Sequence, residues 1–271
     1  MKACYWNSEG RWSRGDTLWE ALSLGSRMGQ TPYVIAFSGG GGKTSLIRRL
    51  AWEGRERGLK VLVTTTTHMQ VPTQFGVLDG TPGEVEAMIR DQKIAVSGHP
   101  EGNGKIAFQG WEYYRDISRL AQLVLVEADG SKRLPMKVPG PGEPVIPEDT
   151  ALSLCVYGLS ALGGRGEDVC FRLRAAENIM EQYGRKDWRN GEHSMGVPLW
   201  HIIPQDMECL MTHGFLLPLR REAPSMAVIP VFHQADSLEA EAVGRQMLER
   251  MGERGGVVSG RLKEEPSFLW F

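Results

Sequence analysis

The chain has 271 residues, room for one large α/β domain or two small ones, and its 41% hydrophobic and 24% charged residues are ordinary globular values. A formal net charge of -2 gives no basis for a nucleic-acid groove or an anionic membrane surface as partner. The longest apolar stretches, such as 123–126 and 226–232, are too short to span a bilayer.

The first residues turn polar quickly, without the apolar core and small-residue cleavage site of a leader. Cys4, Cys155, Cys170 and Cys209 are scattered, which reads as reduced thiols and not as a disulfide framework or zinc site. The expected location is cytoplasmic. No period of 20–50 residues recurs, so repeat architectures are set aside.

In chain order, the pattern predicts a helix over 16–28 and an apolar strand over 33–37. Four glycines then lead into a helix over 43–57. On that helix Leu46, Ile47, Leu50 and Ala51 form the inward face, while Arg48, Arg49, Glu53 and Arg57 point away. A strand over 60–67 and a helix over 81–91 follow. Short strands at 94–96 and 106–108 suggest a β-hairpin insertion spanning about 93–110, ahead of a helix over 113–120. Leu123, Val124, Leu125, Val126 and Glu127 form a continuous apolar run suited to a buried parallel strand. Residues 129–149 hold Pro135, Pro139, Pro141, Pro144 and Pro147 and read as a long loop, the kind that is functional or disordered in compact domains. A strand over 151–157, helices over 174–183 and 206–213, an exposed insertion over 184–196, a strand over 226–232 and a helix over 237–251 complete the chain. On the last helix Leu238, Ala242, Val243 and Met247 are expected inward. Strands alternating with helices predict one α/β domain over 1–271, a mostly parallel sheet wrapped by helices in three layers, like a P-loop NTPase.

The strongest chemical signal is Ser38, Gly39, Gly40, Gly41, Gly42, Lys43 and Thr44. Several backbone N–H groups must converge on a phosphate chain, and glycines let the backbone come close and turn tightly. The helix that starts there turns its free amides, through Ser45, and its positive dipole end toward the same anion. Lys43 then supplies a cation that projects to phosphate, and the Thr44 hydroxyl a Mg²⁺ ligand. The match to G-x-x-x-x-G-K-[ST] is incomplete, because Phe37 stands where the first glycine belongs. The alternative is a flexible glycine hairpin with a surface lysine.

Glu127 and Asp129 end a strand at the edge where the glycine loop opens; one can hold Mg²⁺ and the other orient an attacking water, or both can be surface turn residues. Thr66, Thr67 and His68 emerge at the same edge, where hydroxyls can meet phosphate or metal-bound water; equally, threonine suits a strand. Lys132, Arg133 and Lys137 follow the carboxylates as phosphate-neutralising cations or as solvated loop charge. His233, Gln234, Ala235 and Asp236 stand where GTP-binding P-loop proteins carry Asn-Lys-x-Asp, which reads the guanine edge. Alternatively, Asp236 caps a helix with Glu239 three residues on.

The stretches 35–44, 63–68, 127–132, 134–139, 143–147 and 158–163 resemble the YqeC family, described as accessory proteins for selenium-dependent molybdenum hydroxylases. The likeness runs from about Leu18 to Asp236. Two departures stand out: Phe171-Arg172 replaces the family's His-Arg, leaving Arg172 as a candidate phosphate contact, and His233-Gln234 replaces an Asn-Lys-like pair. The resemblance implies nucleotide-dependent help in maturing a selenium-containing molybdenum cofactor. Mg²⁺ and ATP or GTP are the expected cofactors, and a client molybdenum hydroxylase or cofactor-maturation proteins the expected partners. Two other readings use the same loop: a small-molecule kinase with Arg165, Arg172 and Arg174 as a lid, and a nucleotide-bound scaffold without catalysis.

Overall fold

Seven successive residues of β3, Tyr33–Gly39, are all buried, a pattern expected of a strand covered on both faces. The computed structural model describes residues 3–7, 9–29, 31–189, 191–192 and 198–260. Before β3 come β1 (Ala3–Trp6), β2 (Trp12–Gly15), α1 (Leu18–Ala21) and α2 (Leu24–Arg27). After it come α3 (Lys43–Glu56), β4 (Val61–Thr65), β5 (His68–Gln70), β6 (Gly76–Leu78) and α4 (Pro82–Gln92). Next are β7 (Ile94–Glu101), β8 (Lys105–Ala107), α5 (Trp111–Ser118), β9 (Leu123–Glu127), β10 (Met136–Lys137) and β11 (Thr150–Gly158). Then α6 (Gly166–Val169), β12 (Cys170–Phe171), α7 (Leu173–Tyr183), β13 (Gly191–Glu192), β14 (Pro198–Leu199) and α8 (Pro204–Met211). A π-helical turn (Thr212–Leu216), α9 (Leu217–Glu222), β15 (Ala227–His233), α10 (Leu238–Arg250) and β16 (Val257–Ser259) close the described chain.

The main sheet is parallel across β16, β15, β11, β3, β9, β4, β7 and β6 in that spatial order. Antiparallel pairs finish its edges, β1 and β2 beyond β16 and β8 with β5 beyond β7. Alternate residues feed opposite faces. Ile35 and Phe37 pack with Leu46, Ile47 and Leu50 of α3, whereas Val34, Leu62 and Val124 pack with Val85 and Ile89 of α4 and Ile117 of α5. Further along that second face Tyr157 and Phe232 meet Met180 of α7, Met207 of α8 and Met247 of α10. Helices therefore cover both faces of a mostly parallel α/β sheet. The parallel strands all end at one edge, which is where a ligand site forms in such sheets.

Several expectations need correction. The helix expected over 16–28 is two short helices, broken where Ser23 takes a left-handed φ of 52°. The hairpin near 93–110 is not an insertion: β7 is a strand of the main sheet whose far end bends out to pair with β8. Residues 129–149 include β10, paired in parallel with β12. In the stretch 184–196, Trp188 is buried and packs edge-on against Trp200 at 4.9 Å, while 190 and 193–197 lie outside the described residues. Leu238 is 69% exposed, not inward, because it opens α10 ahead of the turns that meet the sheet.

On α3, Arg48 and Glu53 are buried and do not point away. Glu53 accepts the backbone N–H groups of Leu18 (3.0 Å) and Trp19 (2.8 Å), capping α1, and also the Arg49 Nε–H at 2.5 Å. Buried carboxylates persist when their oxygens are filled in this way. Glu53→Ala should lower stability by about 1–3 kcal/mol by leaving two amides unpaired. Urea unfolding checks it: a lower midpoint at unchanged slope is expected, and an unchanged midpoint would show the cap contributes nothing.

Candidate functional site

The site begins where β3 ends between two neighbours. Phe37 stands opposite Glu127 on β9, and Gly39 opposite Val156 on β11. The chain then turns through Gly40, Gly41 and Gly42 into α3. Two of these positions admit only glycine. At Gly41 (φ 79°) an added Cβ would lie 2.2 Å from the Gly158 nitrogen; at Gly42 (φ 119°) it would lie 2.3 Å from His233 Cδ2.

The loop's first donors are taken from within. Gly39 N–H reaches both Asp129 oxygens (2.9 and 3.1 Å), Gly40 N–H the Val156 carbonyl (2.8 Å) and Gly41 N–H the Leu134 carbonyl (3.1 Å). Further on, the amides of Gly42, Lys43, Thr44 and Ser45 head α3, where helix geometry provides no intrahelical acceptor and no side chain caps the end. These four amides, with the helix dipole behind them, are the anion-receptive part of the loop.

Six ionisable side chains line up behind the loop. Lys43 is 4% exposed, contrary to the expectation of a projecting ammonium. It folds back onto the Gly39 carbonyl (2.5 Å) and Asp129 Oδ1 (3.1 Å), with Glu127 at 3.9 Å. The Thr44 hydroxyl donates to Glu127 Oε2 at 2.9 Å. Burial pushes the Glu127 carboxyl above its ordinary range, while the Lys43 charge and the Thr44 hydroxyl hold it partway down. Asp129 is wholly enclosed, and its second oxygen meets Lys137 Nζ at 3.2 Å. Lys137 is equally enclosed and donates to Glu143 Oε2 (2.6 Å) and the Gly130 carbonyl (2.9 Å). Arg172 pairs with the other Glu143 oxygen at 2.7 Å. Charges of both signs therefore alternate from the glycine loop out to β12.

The remaining expected residues divide between this cluster and its surroundings. Thr66 is buried and donates to the Val145 carbonyl at 2.5 Å, tying β4 to the proline-rich segment. Thr67 Oγ1 is buried without a hydrogen-bond partner, whereas His68 is exposed on β5 beside Glu101 at 3.1 Å. Lys132 is exposed and sits 4.9 Å from the Phe171 ring centre, with the Arg172 guanidinium at 5.1 Å. His233 does not face out as a base reader would. Its ring is buried against Gly42, and Nδ1 bonds to Ser259 Oγ at 2.8 Å. Gln234 (φ 64°) accepts from Ser160 at 2.5 Å. Asp236 does not cap α10: Ser237 does, its hydroxyl accepting the Ala240 N–H at 3.1 Å. Asp236 instead lines a cavity of about 300 Å³ with Ser237, Leu238, Glu241, Val258 and Gly260.

Glu143, in the charge cluster, and Ser259, beside His233, are the residues that sequence reasoning missed. Lys137 reads equally as a phosphate-neutralising cation or as solvated loop charge, and the one hint of its burial is its apolar flanks, Met136 and Val138. Nothing local marks Ser259.

His233 is held to about 4, below its ordinary 6.5, chiefly by burial. The folded protein keeps it neutral while the unfolded chain protonates it, so its contribution to stability is full above about pH 6.5 and is lost as pH falls toward 4. His233→Gln should therefore flatten the acid-side fall in unfolding free energy by up to about 1.4 kcal/mol per pH unit. Identical slopes for variant and wild type between pH 4 and 6.5 would show that the imidazole is already charged.

Residues 35–174 match the family model described as YqeC protein. That span takes in the glycine loop, the carboxylate strand, the proline-rich segment and Arg172, and stops before His233 and Asp236. A relative from Escherichia coli (strain K12), named Uncharacterized protein YqeC, is 34% identical over 151 residues. The match covers 53% of this chain and 58% of that protein, less than two thirds of its length. The chain belongs to the YqeC family.

Proposed function

We propose that this YqeC-family protein is a P-loop nucleotide-binding protein, a slow Mg²⁺-dependent hydrolase of ATP or GTP. Its role would be accessory, in maturing a selenium-dependent molybdenum hydroxylase or its cofactor. The observation that carries the nucleotide reading is the convergence of α3's open amides, Lys43 and the Thr44–Glu127 pair at the ends of adjacent parallel strands. The maturation role rests on the family resemblance alone.

The residues fit a nucleotide with Mg²⁺. Among the described residues no group of three or more His, Cys, Asp or Glu is arranged to hold a metal ion. Mg²⁺ takes one or two protein ligands and fills its shell with water and phosphate oxygens. Thr44 and Glu127 would hold it, and when bound it would neutralise charge on the phosphate oxygens. Lys43, now on the Gly39 carbonyl, would turn to an anion on the amides of Gly42–Ser45. Asp129, expected as a second metal ligand, is better placed as an anchor. Its oxygens already hold the Gly39 N–H and lie against two lysines, fixing the start of the loop.

For the base, Asp236, which lines the cavity, would accept the N1–H and exocyclic amine of guanine, a pair of donors that adenine does not present. His233 and Gln234 brace the loop and leave the base uncovered, so the preference for GTP over ATP should be modest.

Three substitutions test this by calorimetry and phosphate release. Lys43→Ala should weaken nucleotide binding by at least about tenfold, as loss of a charge-assisted contact does; unchanged affinity would sink the phosphate-loop reading. Glu127→Gln should lower hydrolysis at least about tenfold, roughly 1.4 kcal/mol, with far less effect on binding. If turnover is untouched, the carboxylate strand is structural. Asp236→Ala should erase the GTP preference, worth about 1–3 kcal/mol when bidentate, and leave phosphate binding intact. A wild type that favours ATP would contradict the base assignment.

A further inference from the structure

The proline-rich segment contributes the least expected member of the charge cluster. Lys137 is completely buried, although lysine is rarely so unless paired. It is fixed from three sides. Its strand, β10, pairs with β12 so that Lys137 stands opposite Phe171; its carbonyl accepts the Tyr157 hydroxyl at 2.8 Å; its ammonium donates to Gly130 and Glu143. What remains of the ammonium faces Asp129 Oδ2 at 3.2 Å, opposite the oxygen that Lys43 approaches at 3.1 Å. One enclosed carboxylate thus has two lysines, of different standing. Lys43 sits on the glycine loop and touches Asp129 with a side chain the nucleotide reading requires to move. Lys137 is held in place by its own network.

We infer that Lys137 is a positioning residue, the resident counter-ion of Asp129 that releases Lys43 to the phosphate chain. The inference rests on the phosphate-loop reading above. When Lys43 leaves for an incoming phosphate, Asp129 still has Lys137 beside it at 3.2 Å and keeps its hold on the Gly39 N–H. Without Lys137 the departure of Lys43 would strand a buried carboxylate with no cation, a state that proteins avoid at large cost. Lys43 would then be retained by Asp129, and nucleotide would bind against that attraction. Lys137 acts through Asp129 and Lys43 and needs no contact with the ligand.

A double-mutant cycle separates this from the alternatives. Full-length wild type, Lys137→Met, Asp129→Asn and the double variant are titrated with Mg-ATP and Mg-GTP, and each is melted to confirm folding. Lys137→Met should weaken binding at least about tenfold when Asp129 is present, and by less than about threefold when Asn replaces it, a coupling of the size that direct charge contacts give. Equal losses in both backgrounds would overturn the inference, since they would mean a direct attraction between Lys137 and phosphate or a general loss of structure. No loss in either background would overturn it too. Should Lys137→Met fail to fold, Lys137→Gln, which can still donate to Gly130 and Glu143, replaces it in the same cycle. Wild-type binding that Lys43→Ala weakens at least about tenfold, together with an uncoupled cycle, rejects the role of Lys137 while leaving the phosphate loop standing. Absence of wild-type binding rejects both.

Discussion

The arrangement turns on one carboxylate. Asp129 is fully enclosed, yet it accepts the first N–H of the glycine loop with both oxygens and has a lysine at each. A buried charge is tolerable only when paired and hydrogen-bonded, and an unpaired partner on either side costs several kcal/mol. The two lysines in turn are held by their own partners: Lys43 by the Gly39 carbonyl and Lys137 by Glu143. Removing one member therefore burdens its neighbours. Three cations and three anions alternate from Lys43 to Arg172, linking the loop to a segment more than a hundred residues away in sequence.

The fold supplies the rigidity this needs. β3, β9 and β11 lie side by side and in parallel, so Gly39, Glu127 and Gly158 reach one edge in fixed register. The proline-rich segment then folds back across that edge. Leu134 accepts a loop N–H through its carbonyl, Pro135 accepts the Gly158 N–H at 2.8 Å, and β10 locks onto β12. His233 closes the other side against Gly42. The loop is thus shaped by close backbone contacts, and its receptive part is confined to the helix end.

Much of this was legible in sequence where a single dominant force acts. The run 123–127 was placed to the residue because a continuous apolar stretch ending in a carboxylate has few other homes. The glycine run announced both the turn and the helix start. One group of failures shares a cause: charge was taken as a sign of exposure. Arg48 and Glu53 are both buried, and Glu53 is satisfied by the amides of Leu18 and Trp19, partners distant in sequence that no local pattern shows. The edge strands β1, β2 and β16 are only three or four residues long and have little periodicity to read. His233 looked like a base reader from its place after a strand, and only the approach of Gly42 shows that it braces the loop.

The central claim, that the glycine loop holds a phosphate chain, is tested most directly by a crystal structure with Mg²⁺ and a non-hydrolysable nucleoside triphosphate. The account predicts phosphate oxygens on the amides of Gly42–Ser45, Lys43 Nζ moved from the Gly39 carbonyl to the phosphates, and the metal between Thr44 and Glu127. Asp129 should still hold Gly39 and Lys137. A nucleotide bound elsewhere, or one bound with Lys43 still folded onto Gly39, would contradict it.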